Sequence, residues 1–269
     1  MAGSTLTAGP AAGELDHALA RLYNFDFPGT HAVLNRFIAG HPQDPLGYSL
    51  RSATYLFHEL DRLGVLEAEF FADDKRIIGR KGLKPDPEIR ARFFQSTADA
   101  QARAEAILAR DPENADALFA MCVVQGLLSD YVALVERRSF KSLPYTKRAY
   151  ACARRLLKRD PTFHDAYVST GITEYLVGNL PFLIRWLVRF DDVQGSKQKG
   201  IENLQLVSRS GHYFRPFAKI LLAVIYIREK KPAETAKLLE DLAREYPENP
   251  LIRKELTKVR AQLQPPPGL

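Results

Sequence analysis

Prolines that each stand between two helix-forming runs punctuate the chain, and this recurrence limits the fold more than any other feature. In FIAGHPQDPLGYSL, ILARDPENADALFAMC, LLKRDPTFHDAYVSTG and LAREYPENPLIRKEL, an apolar periodic run stops at a proline and a second run starts at once. Proline fits the first turn of a helix but clashes and removes a hydrogen bond inside one, so Asp111-Pro112 and Asp160-Pro161 each close one helix and open the next. Aligned on those prolines, Leu118, Met121 and Cys122 correspond to Tyr167, Thr170 and Gly171: a large, a medium and a small residue. Steps of three and one put them on one helical face, where the small residue admits a neighbouring helix.

At these residues the sequence resembles a tetratricopeptide repeat protein. The best single unit is FAKILLAVIYIREKKPAETAKLLEDLAREYP, in which Leu222, Ala223 and Tyr226 fill first-helix positions. Ala236, Leu239 and Pro247 follow as second-helix and terminator positions, with Ala236 one residue out of register. The resemblance implies an all-α fold, an antiparallel helix-pair solenoid with insertions between the two helices of several repeats. Pro42, Pro112, Pro161 and Pro247 are 70, 49 and 86 residues apart, whereas a plain repeat runs 34. The excess is expected between the two helices of a pair, since the signatures beside each proline are intact. The whole chain is also similar to a group of bacterial repeat proteins marked by YNFDF, DAYVSTGITEYLVGNLPF and YFRPFAKILLAVIYIREK, a likeness that implies no activity. GSKQKGIENL adds a distant similarity to the helical-repeat component of periplasmic tripartite transporters.

Equivalent loops of stacked helix pairs project from one edge, so the insertions are expected to form one composite surface. They lie at about residues 64–85, at VERRSFKSLP, and at NLPFLIRWLVRF running on through DDVQGSKQKG; a long helix should open at Asp86-Pro87 with Glu88 in its first turn. Their charged cores, residues 73–84, 136–148 and 179–199, carry +3, +4 and +2, whereas the whole chain carries +6. The candidate interaction edge is therefore Lys75, Arg76, Arg80, Lys81, Arg137, Arg138, Lys141, Arg185, Trp186, Arg189, Lys197 and Lys199. Solvated loop charges that need no partner are the competing explanation. Within NLPFLIRWLVRF, Arg185 and Arg189 leave only a narrow polar stripe, and the segment is too short to span a bilayer. It is expected to pack inward as a buried helix, with a partner surface and a membrane foot as alternatives.

Little in the chain points to chemistry. Six histidines are scattered without HExxH spacing, and the neighbours His58-Glu59 and His164-Asp165 face different sides of a helix. Asp73-Asp74 and Asp191-Asp192 sit beside basic residues, which favours charge balance over acid–base work. The S-x-x-K of Ser196 to Lys199 lacks its companion motifs, and no phosphate-cradling glycine loop occurs. Cys122 and Cys152, the only cysteines, read as small buried thiols. Tyr145, Tyr150, Tyr167, Tyr175 and Tyr226 fall at packing positions, from which a few could line a peptide-binding groove.

The expected organisation is a flexible start over 1–12, one helical domain over 13–263 and a proline-rich tail over 264–269. The expected role is a non-enzymatic scaffold, without cofactor or metal, binding a protein partner through its concave face, its basic edge or both. Contact with an anionic surface or membrane is the alternative, as is a transporter accessory; nucleic acid is not expected at so small a charge excess. No basic start followed by an apolar run is visible, which makes the cytoplasm the default, or the periplasm if the start was trimmed.

Overall fold

The computed structural model describes residues 10–66, 84–180, 193 and 195–263. Among them are eleven α-helices and no strand: α1 (Pro10–Tyr23), α2 (Phe27–Gly40), α3 (Pro45–Arg62), α4 (Pro87–Leu108), α5 (Ala115–Asp130), α6 (Ser139–Arg159), α7 (Tyr167–Asn179), α8 (Lys197–Ser210), α9 (Arg215–Arg228), α10 (Pro232–Glu245) and α11 (Pro250–Leu263). Short polar side chains, prolines or both mark most of the helix starts. Asp26, Asp44, Asp86 and Asn114 each accept a backbone N–H of the following turn, which meets donors that a helix start leaves unpaired. Proline stands in the first turn of α2, α3, α4, α9 and α10. The helix expected at Asp86-Pro87 is present, with Glu88 in its first turn.

Consecutive helices pack on each other throughout, most closely in the pairs α1/α2, α3/α4, α5/α6, α7/α8 and α9/α10. Pro42, Pro112, Pro161 and Pro247 all fall in the short links between pairs. The long interval from Pro161 to Pro247 holds two pairs, whose junction at residues 211–214 contains no proline. Long connections, by contrast, separate the partners within a pair: 63–86 between α3 and α4, 131–138 between α5 and α6, and 180–196 between α7 and α8. The apolar stretch 181–190, the residues 1–9 and the tail 264–269 lie outside the described residues.

The main apolar cluster runs from Leu15 of α1 through α6 and reaches Tyr213, while smaller clusters join α7 to α8 and α9, and α9 to α10 and α11. At its centre α5 is buried on almost every side, from Ala117 to Gln125 and again from Leu127 to Ser129. The span Ala115–Val135 is long and apolar enough to cross a membrane by length and composition, yet 67% of its most apolar 18 residues are buried inside the protein. Its last turn, Tyr131–Val135, widens into a π-helix that seats the Tyr131 ring 4.6 Å from Phe93, stacked at 17°. Both thiols are free; Cys122 is buried and Cys152 half-buried, and burial pushes the Cys122 thiol up to about 12, so it stays protonated and inert.

The small residue expected at position 171 does admit a helix. A methyl carbon on Gly200 of α8 would lie 2.6 Å from the Tyr175 nitrogen and 2.7 Å from the Gly171 oxygen of α7, so the two backbones touch there. Because backbone cannot swing aside, Gly200→Ala should separate α7 from α8 and cost roughly 2–3 kcal/mol. Thermal unfolding should show a Tm lower by about 5–10 °C, against little change for Gly126→Ala, where the space is open.

Candidate functional site

The start of α7 and the start of α9 meet at one short stretch, His212 to Phe214. Asp165, just before α7, is buried, and its carboxylate accepts the backbone N–H groups of His212, Tyr213 and Phe214 at 3.1, 3.2 and 2.8 Å. From the opposite side the Tyr23 hydroxyl at the end of α1 donates to the Tyr213 carbonyl at 3.2 Å. Asn249 then closes the arrangement. Its side-chain oxygen caps α11 through Leu251 and Ile252 N–H, while its amide nitrogen donates to the Tyr23 carbonyl at 2.7 Å. The Tyr23 and Tyr246 rings lie 5.3 Å apart, and His212 Nε2 meets Asp16 at 2.9 Å.

This junction bears on the expected peptide groove. Leu15, Leu19, Leu22 and Tyr23 of α1 are buried in the same cluster as Phe119 of α5 and Tyr213, so the chain's own first helix covers part of the apolar surface that a groove would need. None of the five tyrosines singled out in the sequence is exposed. Tyr150 donates to Glu174 at 3.2 Å, and the Tyr226 hydroxyl accepts from Gln205 at 3.0 Å.

Two buried glutamates hold the bases of the long connections. Glu59 of α3 accepts the Asp86 N–H at 2.8 Å and two guanidinium donors of Arg62 at 2.9 and 3.0 Å, and Arg62 also reaches the Lys84 carbonyl at 2.7 Å. Residues 62 and 86 are thereby clamped beside each other. Glu174 of α7 repeats the device, accepting the Ser196 N–H at 3.0 Å as well as the Tyr150 hydroxyl. In each case the bonded N–H belongs to the residue that caps the next helix. The hydroxyl of Ser196 accepts the Lys199 N–H at 3.2 Å, so the S-x-x-K there is a helix cap.

Sequence reading places no two histidines together, yet packing of α2 on α3 brings His31 near His58. The His31 ring lies 4.3 Å from Tyr55, and His58 stacks on Phe27 at 4.9 Å. Both ring nitrogens of His31 are buried without a hydrogen bond. Burial first, then the charges of His58, Arg51 and Arg92, lower its pKa to about 4, which makes it a poor proton acceptor. Among the described residues no group of three or more His, Cys, Asp or Glu could hold a metal ion. Glu59 and Asp165 are buried whereas His58 and His164 beside them are half-buried, and His164 Nδ1 lies 3.1 Å from the Ser210 carbonyl.

Of the candidate edge, Lys75, Arg76, Arg80, Lys81, Arg185, Trp186 and Arg189 lie outside the described residues, as do Asp73-Asp74 and Asp191-Asp192. Lys197 and Lys199 are exposed in the first turn of α8. Arg138 is exposed before α6 and Lys141 in its first turn, while Arg137, in a left-handed backbone conformation (φ 57°), keeps two guanidinium nitrogens buried without a partner. Sequence reading overlooked how far this charge continues: every basic residue of α6 is exposed, to the end of the helix. The signal was a run from 137 to 159 without a single acidic residue. No protein-family model and no curated protein matches this chain.

The folded state keeps His31 neutral down to about 4, whereas an unfolded chain protonates it near its ordinary value of 6.5. The unfolded state then binds the extra proton, so stability falls as pH drops from about 7 towards 4. His31→Phe should reduce that acid loss by on the order of 2 kcal/mol, after discounting for partial exposure. Urea unfolding at pH 7.5 and pH 4.5 measures it as a smaller difference between the two pH values in the variant.

Proposed function

We propose that this chain is a non-enzymatic scaffold of the tetratricopeptide repeat type. In this reading α3/α4, α5/α6, α7/α8 and α9/α10 are decorated or plain repeats of one helix-pair solenoid, α1/α2 is an entry pair and α11 closes the end. The segments inserted between paired helices bind a protein partner.

The observation that carries the reading is the pair of buried carboxylate clamps, Glu59 to Asp86 and Glu174 to Ser196. A buried carboxylate costs stability unless its hydrogen bonds are satisfied, and here both are spent on fixing where a long connection leaves and rejoins the helices. Rigid elements that hold the ends of long connections are the usual way a fold positions binding segments. The burial of α1 in the main apolar cluster, with Tyr23 bonded to the Tyr213 carbonyl, favours the inserted edge over the concave face as the partner surface. Neither a cofactor nor a catalytic constellation enters this reading.

The test is quantitative cross-linked capture from cells of the source organism, comparing the wild type with Lys75→Glu/Arg76→Glu/Arg80→Glu/Lys81→Glu. The variant should keep the wild-type circular dichroism and Tm while recovery of the main stoichiometric partner falls at least tenfold. Equal recovery by both forms, or no stoichiometric partner at all, contradicts the reading.

A further inference from the structure

Residues 137–159 contain nine of the chain's 38 basic residues and none of its 32 acidic ones, so the rest of the chain carries −3 and this segment carries the whole positive excess. Helix α6 arranges that charge on one side. Its buried side is Ser142, Ala149, Tyr150, Ala153 and Leu156. From position 141 to 159 every exposed residue is Lys, Arg, Pro or Ala, and the cations recur at steps of three, four and seven. A helix of 21 residues rises about 30 Å, so the cations form a strip of about that length on the exposed side of the helix.

Among the described residues two acidic groups pair with cations of the strip, one near each end. Glu113 pairs with Arg155 at 3.1 Å and Glu136 with Arg138 at 3.8 Å, at its two ends. Arg148, Arg154 and Lys158 make no ion pair among the described residues. Like charges packed this closely repel one another, so the strip gains most from an external surface of opposite sign. At its amino end stands Phe140, 78% exposed, against 53% for Leu176 and 46% for Leu263, the other exposed large apolar residues described. An aromatic ring between Arg138 and Lys141 has the composition of an interfacial anchor, apolar enough to enter the acyl boundary beside cations that hold headgroups.

The chemistry of the strip separates possible occupants. It carries no exposed Asn, Gln, Ser or Thr from 141 to 159, the neutral side chains that commonly join Lys and Arg in contacting nucleic acid backbones and bases. The exposed side of a single helix does not enclose a peptide, whereas a flat anionic sheet touches all its turns at once. We propose that α6 is a membrane-docking face that lies flat on a bilayer of anionic phospholipid, with Phe140 entering the interface at its amino end. This stands apart from the partner reading above, which rests on other residues.

Full-length protein is mixed with sucrose-loaded vesicles of phosphatidylcholine alone or with 30% phosphatidylserine, and the bound fraction is measured by sedimentation. The wild type should bind the anionic vesicles only, and 0.5 M salt should release it as the charges are screened. Each neutralised surface cation weakens such binding about fivefold, so Arg148→Glu/Arg154→Glu/Lys158→Glu should weaken it at least a hundredfold. Phe140→Ser should weaken it several-fold while the salt dependence stays. All four substituted side chains are outside the core, and circular dichroism should confirm an unchanged helix content. Binding of the wild type to neutral vesicles as well, or no binding to either kind, overturns the proposal. So does a triple variant that binds like the wild type, or tenfold tighter binding to a 20-bp RNA or DNA duplex at equal phosphate concentration.

Discussion

The carboxylate of Asp165 takes three consecutive backbone N–H groups, from His212 to Phe214, and the path of the chain depends on that capture. The link between α8 and α9 has neither proline nor helix to shape it, and without the carboxylate its buried N–H groups would lack partners. Held in place, the same stretch offers the Tyr213 carbonyl to Tyr23, and Tyr23 in turn offers its carbonyl to Asn249. Three polar side chains thus connect the first helix, the middle of the chain and the cap of the last helix. Burial raises the Asp165 carboxyl above its usual range against the pull of these three bonds, so the capture matters chiefly because stranding a buried N–H costs about 1–3 kcal/mol, in a stability that totals only ~5–15 kcal/mol.

Much of the architecture was legible in the sequence, for a local reason. Proline and its capping neighbours act within one turn, so Pro42, Pro112, Pro161 and Pro247 marked junctions without knowledge of the rest of the fold. Gly171 was readable because only a small residue tolerates the approach of α8. The junction was not legible, because Tyr23 and Asn249 are 226 residues apart and neither belongs to a local pattern. Glu59 and Glu174 were passed over because a glutamate on a helix ordinarily faces water, and only the tertiary fold supplies the N–H groups that make burial tolerable.

The strip on α6 was half visible. Grouping cations by loop selected Arg137, Arg138 and Lys141 but stopped at residue 148, inside the helix. Helical periodicity carries the charge on to Arg159, and the boundary between loop and helix has no electrostatic meaning. The inner and outer sides of the molecule consequently differ in kind. Inside, α1 shares one apolar cluster with Phe119 and Tyr213, whose rings stack 6.1 Å apart. Outside, the cations of α6 are all exposed to the surroundings, which is why the membrane reading rests on that face.

Hydrogen exchange read by mass spectrometry on the wild type and on Asp165→Asn tests the central claim, that one junction ties both ends of the chain together. Asparagine keeps the shape but replaces one accepting oxygen with a donor. The account expects faster exchange at 212–216 in the variant, accompanied by faster exchange at 15–26 and 246–252, although those segments are remote in sequence from the substitution. Faster exchange confined to residues 160–216, with both ends protected as in the wild type, would contradict it.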